Sequence, residues 1–138
     1  MVNRILFLII LICLSGKAIG QDQMQMSKSI YFGGGSYDID EEQIRMLSNW
    51  LDSIPNLLDK YQIQLISHTD PIGGREFNEW LSKMRSQSVY DLLLQKDIPD
   101  QFITVKNWGL ENPVYSNQNY RGMRLNRRVD VILYPLVY

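Results

Sequence analysis

The stretch HTDPIGGREFNEWLSKMRSQSV, residues 68–89, decides the fold because the repeat of its apolar residues changes within it. It begins where an alternating apolar run ends, turns through Pro71, Gly73 and Gly74, and continues with apolar residues at helical spacing. Alternation indicates a half-buried strand, and a repeat of three to four residues indicates an amphipathic helix. The stretch therefore predicts a strand that leads through a tight turn into a helix.

Two opposite charges flank this turn. Asp70 stands just before it, and Arg85 follows fifteen residues later on the helix. If the helix folds back beside the strand, the carboxylate and the guanidinium can form an ion pair, or they can hold a ligand that carries both signs. Exposed ion pairs are common and contribute only ~0–1 kcal/mol. The charges alone leave both interpretations open.

The first twenty residues have the features of a secretory signal. Arg4 supplies a positive charge, residues 5–14 form an unbroken apolar run, and residues 18–20 form a small-x-small cleavage site. We expect a cleaved signal peptide over residues 1–20, because an apolar run of this length at about 1.5 Å per residue is too short for a membrane core of about 30 Å. Cys13 lies inside the run behind bulky aliphatic residues, so lipidation is not expected.

Composition limits the classes of protein that remain. The 138 residues are 45% hydrophobic, which suits one domain with a core of its own. The formal net charge of −1 becomes −3 without Arg4 and Lys17, so the chain has no basic excess for nucleic acid. A small hydrolase that uses His68 and Asp70 is the weakest candidate function, because neither a nucleophile motif nor a second histidine for a metal accompanies them.

The chain after the signal predicts a polar tail over residues 21–28 and one domain over residues 29–138. The elements expected in that domain are a strand over residues 29–32, a helix over 40–54, a strand over 61–67, a helix over 74–95, and strands over 102–108 and 127–134, with a long polar loop over 109–125. Asp40 is the expected N-cap of the first helix, with Gln43 completing a near capping box. This β-α-β-α-β-β order predicts a two-layer α+β fold with both helices packed on one face of the sheet.

Two further features of the sequence predict local structure, the glycine run and the apolar stripe of the second helix. The glycine run, residues 33–35, predicts a bend or a close approach of the backbone to another group. The second helix is expected to bury one stripe of side chains. That stripe comprises Phe77, Leu81, Met84, Ser88 and Leu92, widened by Val89 and Leu93.

Several motifs, in their order and spacing, resemble the OmpA-like peptidoglycan-binding domain of outer-membrane proteins, peptidoglycan-associated lipoproteins and flagellar stators. They are His68-Thr69-Asp70 with Gly73, Asn78 with Leu81-Ser82, Arg85 and Val89, Trp108-Gly109 with Asn112-Pro113, and Asn126-Arg127-Arg128-Val129. The resemblance covers about residues 30–135. It implies a mixed four-stranded sheet, a periplasmic site in a Gram-negative envelope at or near the outer membrane, and binding without catalysis, cofactor or metal.

The resemblance also implies roles for individual residues in binding the diaminopimelate of the cell-wall peptide stem. Asp70 matches the acid that pairs with the ammonium of diaminopimelate, and Arg85 matches the arginine that clamps its carboxylate. Asn78 matches an amide that helps to hold the ligand, Arg127 matches a second arginine that lines the pocket, and the backbone N–H of Leu81 could face the ligand. A carboxylate and a planar guanidinium complement the two charges of this zwitterion.

Departures from the family pattern leave a second function open. Gly35 stands where an Asn is often found, Ile72 where a Thr is often found, and Ser67 where a Gly is usual. Arg127 and Arg128 alternate in direction, so at most one of them points at the pocket, and we expect it to be Arg127. The leading hypothesis is a peptidoglycan-binding domain that also has an envelope protein partner. The alternative is a periplasmic scaffold that acts through protein partners with weakened or lost wall binding.

Overall fold

The structure is a computed structural model that describes residues 24–109 and 113–137. The predicted signal peptide, the first part of the predicted tail and part of the Asn112-Pro113 motif lie outside the described residues. In the part that is described, every helix is too short or too polar to cross a membrane.

The described chain contains the six predicted elements and two additional short α-helices, besides a 3₁₀ turn at Asp100–Phe102. They are β1 (Met26–Tyr31), α1 (Glu41–Asp52), α2 (Leu57–Lys60), β2 (Tyr61–His68), α3 (Arg75–Gln95), β3 (Ile103–Gly109), α4 (Tyr120–Asn126) and β4 (Arg128–Pro135). The predicted order β-α-β-α-β-β is confirmed for the strands and the two long helices.

The four strands form one mixed sheet in the order β1-β4-β2-β3. Strand β4 pairs antiparallel with both β1 and β2, whereas β2 and β3 are parallel. A parallel pair needs a crossover connection, and α3 supplies it here. The α+β fold with a mixed four-stranded sheet is therefore confirmed, and β2 and β4 lie at its centre.

Both long helices pack on one face of this sheet, as the sequence predicts. Alternate residues of the central strands point towards them, because side chains of a strand alternate between its two faces. The buried core contains Leu47 and Leu51 of α1, Val89, Leu92 and Leu93 of α3, Ile63 and Leu65 of β2, and Val129, Val131 and Leu133 of β4. The opposite face carries a buried polar group around His68 and Arg128.

The start of α1 confirms one prediction and changes another. Asp40 is the N-cap, and its Oδ1 accepts a hydrogen bond from the Gln43 N–H at 2.9 Å. The Gln43 side chain does not complete a capping box. Its amide donates to the Tyr31 carbonyl at 2.8 Å and accepts from the Tyr31 N–H at 2.6 Å, so it joins the helix to the end of β1.

Three predictions about local structure are wrong. Residues 26–28, assigned to the tail, form the first half of β1. Residues 120–125, assigned to a loop, belong to α4, which the Asn119 side chain caps by accepting from the Gly122 N–H at 2.7 Å. The third error concerns α3: Phe77 is 41% exposed, whereas Asn78, Ser82 and Arg85 are buried. An apolar stripe cannot reveal polar residues that are buried against polar partners.

Candidate functional site

The turn after β2 places Asp70 at the end of the sheet. One oxygen of its carboxylate accepts a hydrogen bond from the Ile72 N–H at 3.1 Å, which closes the turn around the side chain. Gly73 and Gly74 have φ angles of +104° and +79°, in the region that glycine adopts without strain. A Cβ atom on Gly73 would lie 2.5 Å from the Phe77 ring. The two glycines therefore allow α3 to begin directly beside Asp70.

Arg85 lies on the buried face of α3 and is held by the glycine run. Its Nε donates to the Ser36 carbonyl at 2.8 Å, and its Nη2 donates to the Gly33 carbonyl at 2.9 Å. The guanidinium also lies 5.2 Å from the centroid of the Phe32 ring. The predicted close approach of the glycine run to another group is thus confirmed, and that group is Arg85.

The charge of Arg85 is costly because the side chain is buried. Burial lowers the pKa of Arg85 to about 10, the nearby Asp70 carboxylate opposes this shift, and Arg127 adds to it. The guanidinium remains cationic at neutral pH. Its Nη1 atom is buried and has no hydrogen-bond partner within the described residues.

Asp70 makes its ion pair with Arg127 rather than with Arg85. The Nη1 atom of Arg127 lies 3.4 Å from the second Asp70 oxygen, and the two side chains are 11% and 7% exposed. The Asp70–Arg85 ion pair considered from the sequence is not present. Arg128 turns the other way and donates from Nε to the Asp130 carboxylate at 3.0 Å, so only Arg127 faces Asp70, as predicted.

Asn78 is the least satisfied polar side chain of this region. It is 1% exposed, and neither its amide nitrogen nor its amide oxygen has a hydrogen-bond partner among the described residues. A buried polar group without a partner costs about 1–3 kcal/mol. Leu81 is also buried, but its backbone N–H lies inside α3, where the carbonyl four residues earlier is its usual acceptor. This position favours packing over ligand contact for Leu81.

The structure brings Asp70, Arg85 and Arg127 within electrostatic reach of one another. Asn78 is buried on the same face of α3 as Arg85, two turns earlier. We call these four side chains the polar cluster. They come from the end of β2, from two turns of α3 and from the residue before β4. The cluster presents one carboxylate, two guanidinium groups and a free amide. This arrangement can bind a small ligand that carries both an ammonium and a carboxylate.

His68 belongs to the opposite side of the sheet. Its Nε2 atom lies 3.2 Å from the Asp130 carboxylate, and Trp108 packs edge-on against the imidazole with ring centroids 5.6 Å apart. No hydrogen bond joins His68 to Asp70 in the part of the chain that the structure describes. Across the same residues, no group of three or more acidic, histidine or cysteine side chains could hold a metal ion.

Sequence reasoning missed a hydrogen-bond network that joins three buried serines to the exposed Asn107. The Asn107 side-chain oxygen accepts from the Ser67 hydroxyl at 3.0 Å and from the Ser86 hydroxyl at 2.5 Å. Ser82 bonds to the Ser67 hydroxyl and accepts from the Gly109 N–H at 3.2 Å. The network joins α3 to β2 and β3. Its sequence signal is Ser82 and Ser86, four residues apart on the face that also carries Arg85.

A cavity of about 650 Å³ lies next to the polar cluster. We call it the arginine cavity, because Arg121, Arg124 and Arg127 line it, together with Tyr120, Phe32 and Gly33. Arg127 belongs to both sites. Asp70, Asn78 and Arg85 do not line this cavity, so it adjoins the polar cluster and does not contain it.

Related proteins share both the sequence and the fold. The chain is 33% identical over 92 residues to the probable lipoprotein YiaD of Escherichia coli K12, a match of 64% of this chain and 42% of YiaD. It is 30% identical over 111 residues to the outer-membrane lipoprotein YfiB of Pseudomonas aeruginosa, a match of 78% of this chain and 64% of YfiB. The chain therefore spans less than two thirds of either relative.

Solved structures show the same fold at lower identity. The peptidoglycan-associated lipoprotein of Burkholderia pseudomallei superposes with a TM-score of 0.65 at 24% identity, covering 78% of this chain and 90% of that one. The cell wall anchor of the type VI secretion system of Pseudomonas aeruginosa gives a TM-score of 0.63 at 22% identity, covering 81% and 82%. The model of the OmpA family matches residues 31–127, and the chain belongs to that family.

Proposed function

We propose that this domain binds peptidoglycan without catalysis, through the diaminopimelate of the peptide stem, and so anchors or localises an envelope component. The family and its relatives place the chain in the Gram-negative envelope, on the periplasmic side. Two solved neighbours are named as a peptidoglycan-associated lipoprotein and as a cell wall anchor. The named relatives are envelope proteins rather than enzymes.

The observation that carries the proposal is the set of unsatisfied buried groups in the polar cluster. Arg85 Nη1, Arg127 Nε and both amide atoms of Asn78 are buried and have no partner within the described residues. Packing alone would favour apolar side chains at these positions, because a buried donor without an acceptor destabilises the fold. A ligand that accepts from the arginines and from Asn78 would satisfy these groups.

Each member of the cluster then has a role in binding the zwitterion. The Asp70 carboxylate accepts from the ammonium, while Arg85 and Arg127 donate to the carboxylate on the same carbon. Asn78 can donate to the carboxylate and accept from the ammonium. Charge-assisted hydrogen bonds of this kind contribute about 1.5–3 kcal/mol each when they are shielded from water.

One observation favours the alternative of a scaffold that has weakened wall binding. The Ser36 and Gly33 carbonyls already accept two of the N–H groups of Arg85. These bonds occupy the Nε–Nη2 edge of the guanidinium and leave only the Nη1–Nη2 edge for a ligand carboxylate, so Arg85 already has a structural role in holding the glycine run. If that role is its main one, the domain would act chiefly through an envelope protein partner.

The direct test is co-sedimentation of the purified domain with diaminopimelate-type sacculi. We expect the parent protein to pellet, and we expect Asp70→Asn and Arg85→Ala to stay in the supernatant. Free meso-diaminopimelate should compete for pelleting. The stem tripeptide with lysine in place of diaminopimelate should not, because its side-chain ammonium has no carboxylate on the same carbon.

The matched control variants are Asp91→Asn and Arg45→Ala, which remove the same charges from exposed positions on α3 and α1. They should pellet like the parent. If Asp70→Asn and Arg85→Ala also pelleted like the parent, the polar cluster would not be the binding site. If the parent itself stayed in the supernatant but co-purified with an envelope protein, the scaffold function would replace wall binding.

A further inference from the structure

The arginine cavity has a regular origin in the sequence. Arg121 and Arg124 lie three residues apart on α4, and Arg127 follows three residues later, just after the helix ends. Residues three apart on a helix lie on the same face. Their guanidinium groups therefore line one side of the cavity. Arg124 also lies over the Tyr120 ring at 5.8 Å, which restricts its orientation.

Two of these three charges, those of Arg121 and Arg124, have no acidic partner among the described residues. The first turn of α4 contains no acid, so Arg121 stands near the positive end of the helix dipole. Like charges three residues apart repel each other as well. Within residues 24–109 and 113–137, neither Arg121 nor Arg124 makes a salt bridge. Both features lower the stability of α4, and an anion bound between the arginines would remove the penalty.

The one described acid that lines the cavity is already engaged. Asp40 accepts from the Gln43 N–H at 2.9 Å and from the Gln43 side-chain amide at 2.8 Å. These bonds lower the pKa of the Asp40 carboxyl, which stays ionised as the cap of α1. Asp40 is thus held by α1, and it leaves the arginine side of the cavity available for a ligand.

The arginine cavity is connected to the polar cluster through residues that belong to, or contact, both. Phe32 and Gly33 line the cavity, and the same two residues contact Arg85 through the ring and the carbonyl. Arg127 lines the cavity and pairs with Asp70. We therefore expect a ligand held by the polar cluster to extend past Arg127 into the cavity.

We propose that the arginine cavity is a second subsite, which binds the carboxylates of the peptide stem that lie outside the diaminopimelate zwitterion. The proposal rests on the proposed binding of the stem. In a tripeptide of L-alanine, γ-linked D-glutamate and diaminopimelate, these are the α-carboxylate of the glutamate and the second carboxylate of diaminopimelate. Arginine suits them because its planar fork of donors matches a carboxylate.

The test is calorimetric titration of the purified domain with this tripeptide and with an analogue in which both of these carboxylates are amides. We expect the double variant R121A/R124A to bind the tripeptide about 10-fold more weakly than the parent, the loss expected for one charge-assisted contact. Amidation should weaken binding to the parent by a similar factor. The double variant should bind the amidated peptide as tightly as the parent does.

The control for net charge is the double variant R45A/K83A, whose two side chains are exposed on α1 and α3. It should bind both peptides like the parent. The subsite is wrong if R121A/R124A binds the tripeptide like the parent, or if it loses the same factor with the amidated peptide. If the parent binds neither peptide, the proposed function fails together with the subsite.

Discussion

Asn78 is a residue whose presence is not explained by the stability of the fold, since its buried amide has no partner within the described residues. We expect Asn78→Leu, which has a similar volume, to raise the free energy of unfolding by about 1 kcal/mol, because it removes an unsatisfied polar group. The same change should abolish pelleting with sacculi. Urea denaturation and co-sedimentation check the two effects.

Asn126 provides the control for this prediction. It is equally buried, but it accepts from the Tyr115 N–H at 3.1 Å and donates to the Tyr115 carbonyl at 2.7 Å and to Asn117 at 2.8 Å. Asn126→Leu should therefore lower the free energy of unfolding by at least about 2 kcal/mol, because it leaves these partners unpaired. Equal effects of the two substitutions would mean that Asn78 has a partner in the free protein.

Asp70 is a residue whose removal should affect stability as well as binding. It lies close to two buried guanidinium groups, those of Arg85 and Arg127, which repel each other. Asp70→Asn should lower the free energy of unfolding by about 1.5–3 kcal/mol, the usual cost of losing a hydrogen bond to a charged group. Chemical denaturation at neutral pH measures this, with the exposed Asp91→Asn as reference. An unchanged free energy would show that the Asp70–Arg127 pair is not formed in solution.

Asp130 makes the stability of the domain depend on pH. Burial raises the pKa of this carboxyl, but hydrogen bonds from His68, Ser29 and Arg128 outweigh burial and lower the pKa to about 2. A carboxyl with a lowered pKa in the folded state stabilises the fold above its unfolded pKa of about 4, and this contribution is lost as the pH falls from about 4 to about 2.

Asp130→Asn should remove this pH dependence. After allowance for partial exposure to solvent, we expect the carboxylate to contribute about 1–2 kcal/mol at neutral pH. The variant should be less stable than the parent at pH 7, and the difference should shrink between pH 4 and pH 2. Urea midpoints across this range check the prediction. A constant difference would mean that Asp130 titrates normally in the folded protein.

At the scale of elements, α4 depends on a contact that helix propensity does not describe. A Cβ atom on Gly122 would lie 1.8 Å from the Ser116 carbonyl oxygen, so the helix packs against the preceding turn at this glycine. Glycine to alanine inside a helix ordinarily stabilises by about 1 kcal/mol. Here we expect Gly122→Ala to destabilise by about 1–3 kcal/mol, because the turn must move. Denaturant unfolding shows whether the free energy of unfolding falls or rises in this variant. A rise would contradict the packing of α4 against the turn.

Helices α3 and α4 show which elements can and cannot be predicted from the sequence. Helix α3 could be predicted within one residue, because its turn glycines and its long apolar repeat agree. Helix α4 could not, since seven residues with a glycine among them are too short to show a helical repeat, and the contact of Gly122 with Ser116 cannot be read from the sequence. The apolar repeat also predicts the wrong buried face for α3, with Phe77 inside and Arg85 outside. Arg85 is buried because its hydrogen-bond partners lie in the segment 33–36, far away in the sequence.

At the scale of the whole molecule, the motifs predicted which residues meet but not how they pair. Asp70, Asn78, Arg85 and Arg127 are spread over fifty-eight positions, and the sheet order β1-β4-β2-β3 brings them together. Asp70 pairs with Arg127, whereas backbone carbonyls hold Arg85. Which of these pairs forms depends on where the glycine run lies. A single sequence does not fix the path of three consecutive glycines.

The polar cluster links three parts of the molecule, and this leads to a prediction about the whole domain. A ligand that fills it contacts the end of β2, helix α3 and the residue before β4, and Arg85 in turn holds the glycine run after β1. Binding to the folded state alone stabilises it by about 2.7 kcal/mol at a ligand concentration 100 times the dissociation constant. We expect a diaminopimelate tripeptide to stabilise the domain, whereas its lysine counterpart should not.

Hydrogen exchange distinguishes this effect from local ordering. In the free protein, the amides of the central strands β2 and β4 should exchange most slowly, and the edge strand β1 and the glycine run should open first. With the diaminopimelate tripeptide, protection should increase in the central strands as well as near the glycine run, because global unfolding becomes rarer. Protection that increased only in residues 33–36 would show that the ligand orders the glycine run without engaging Asp70 and Asn78.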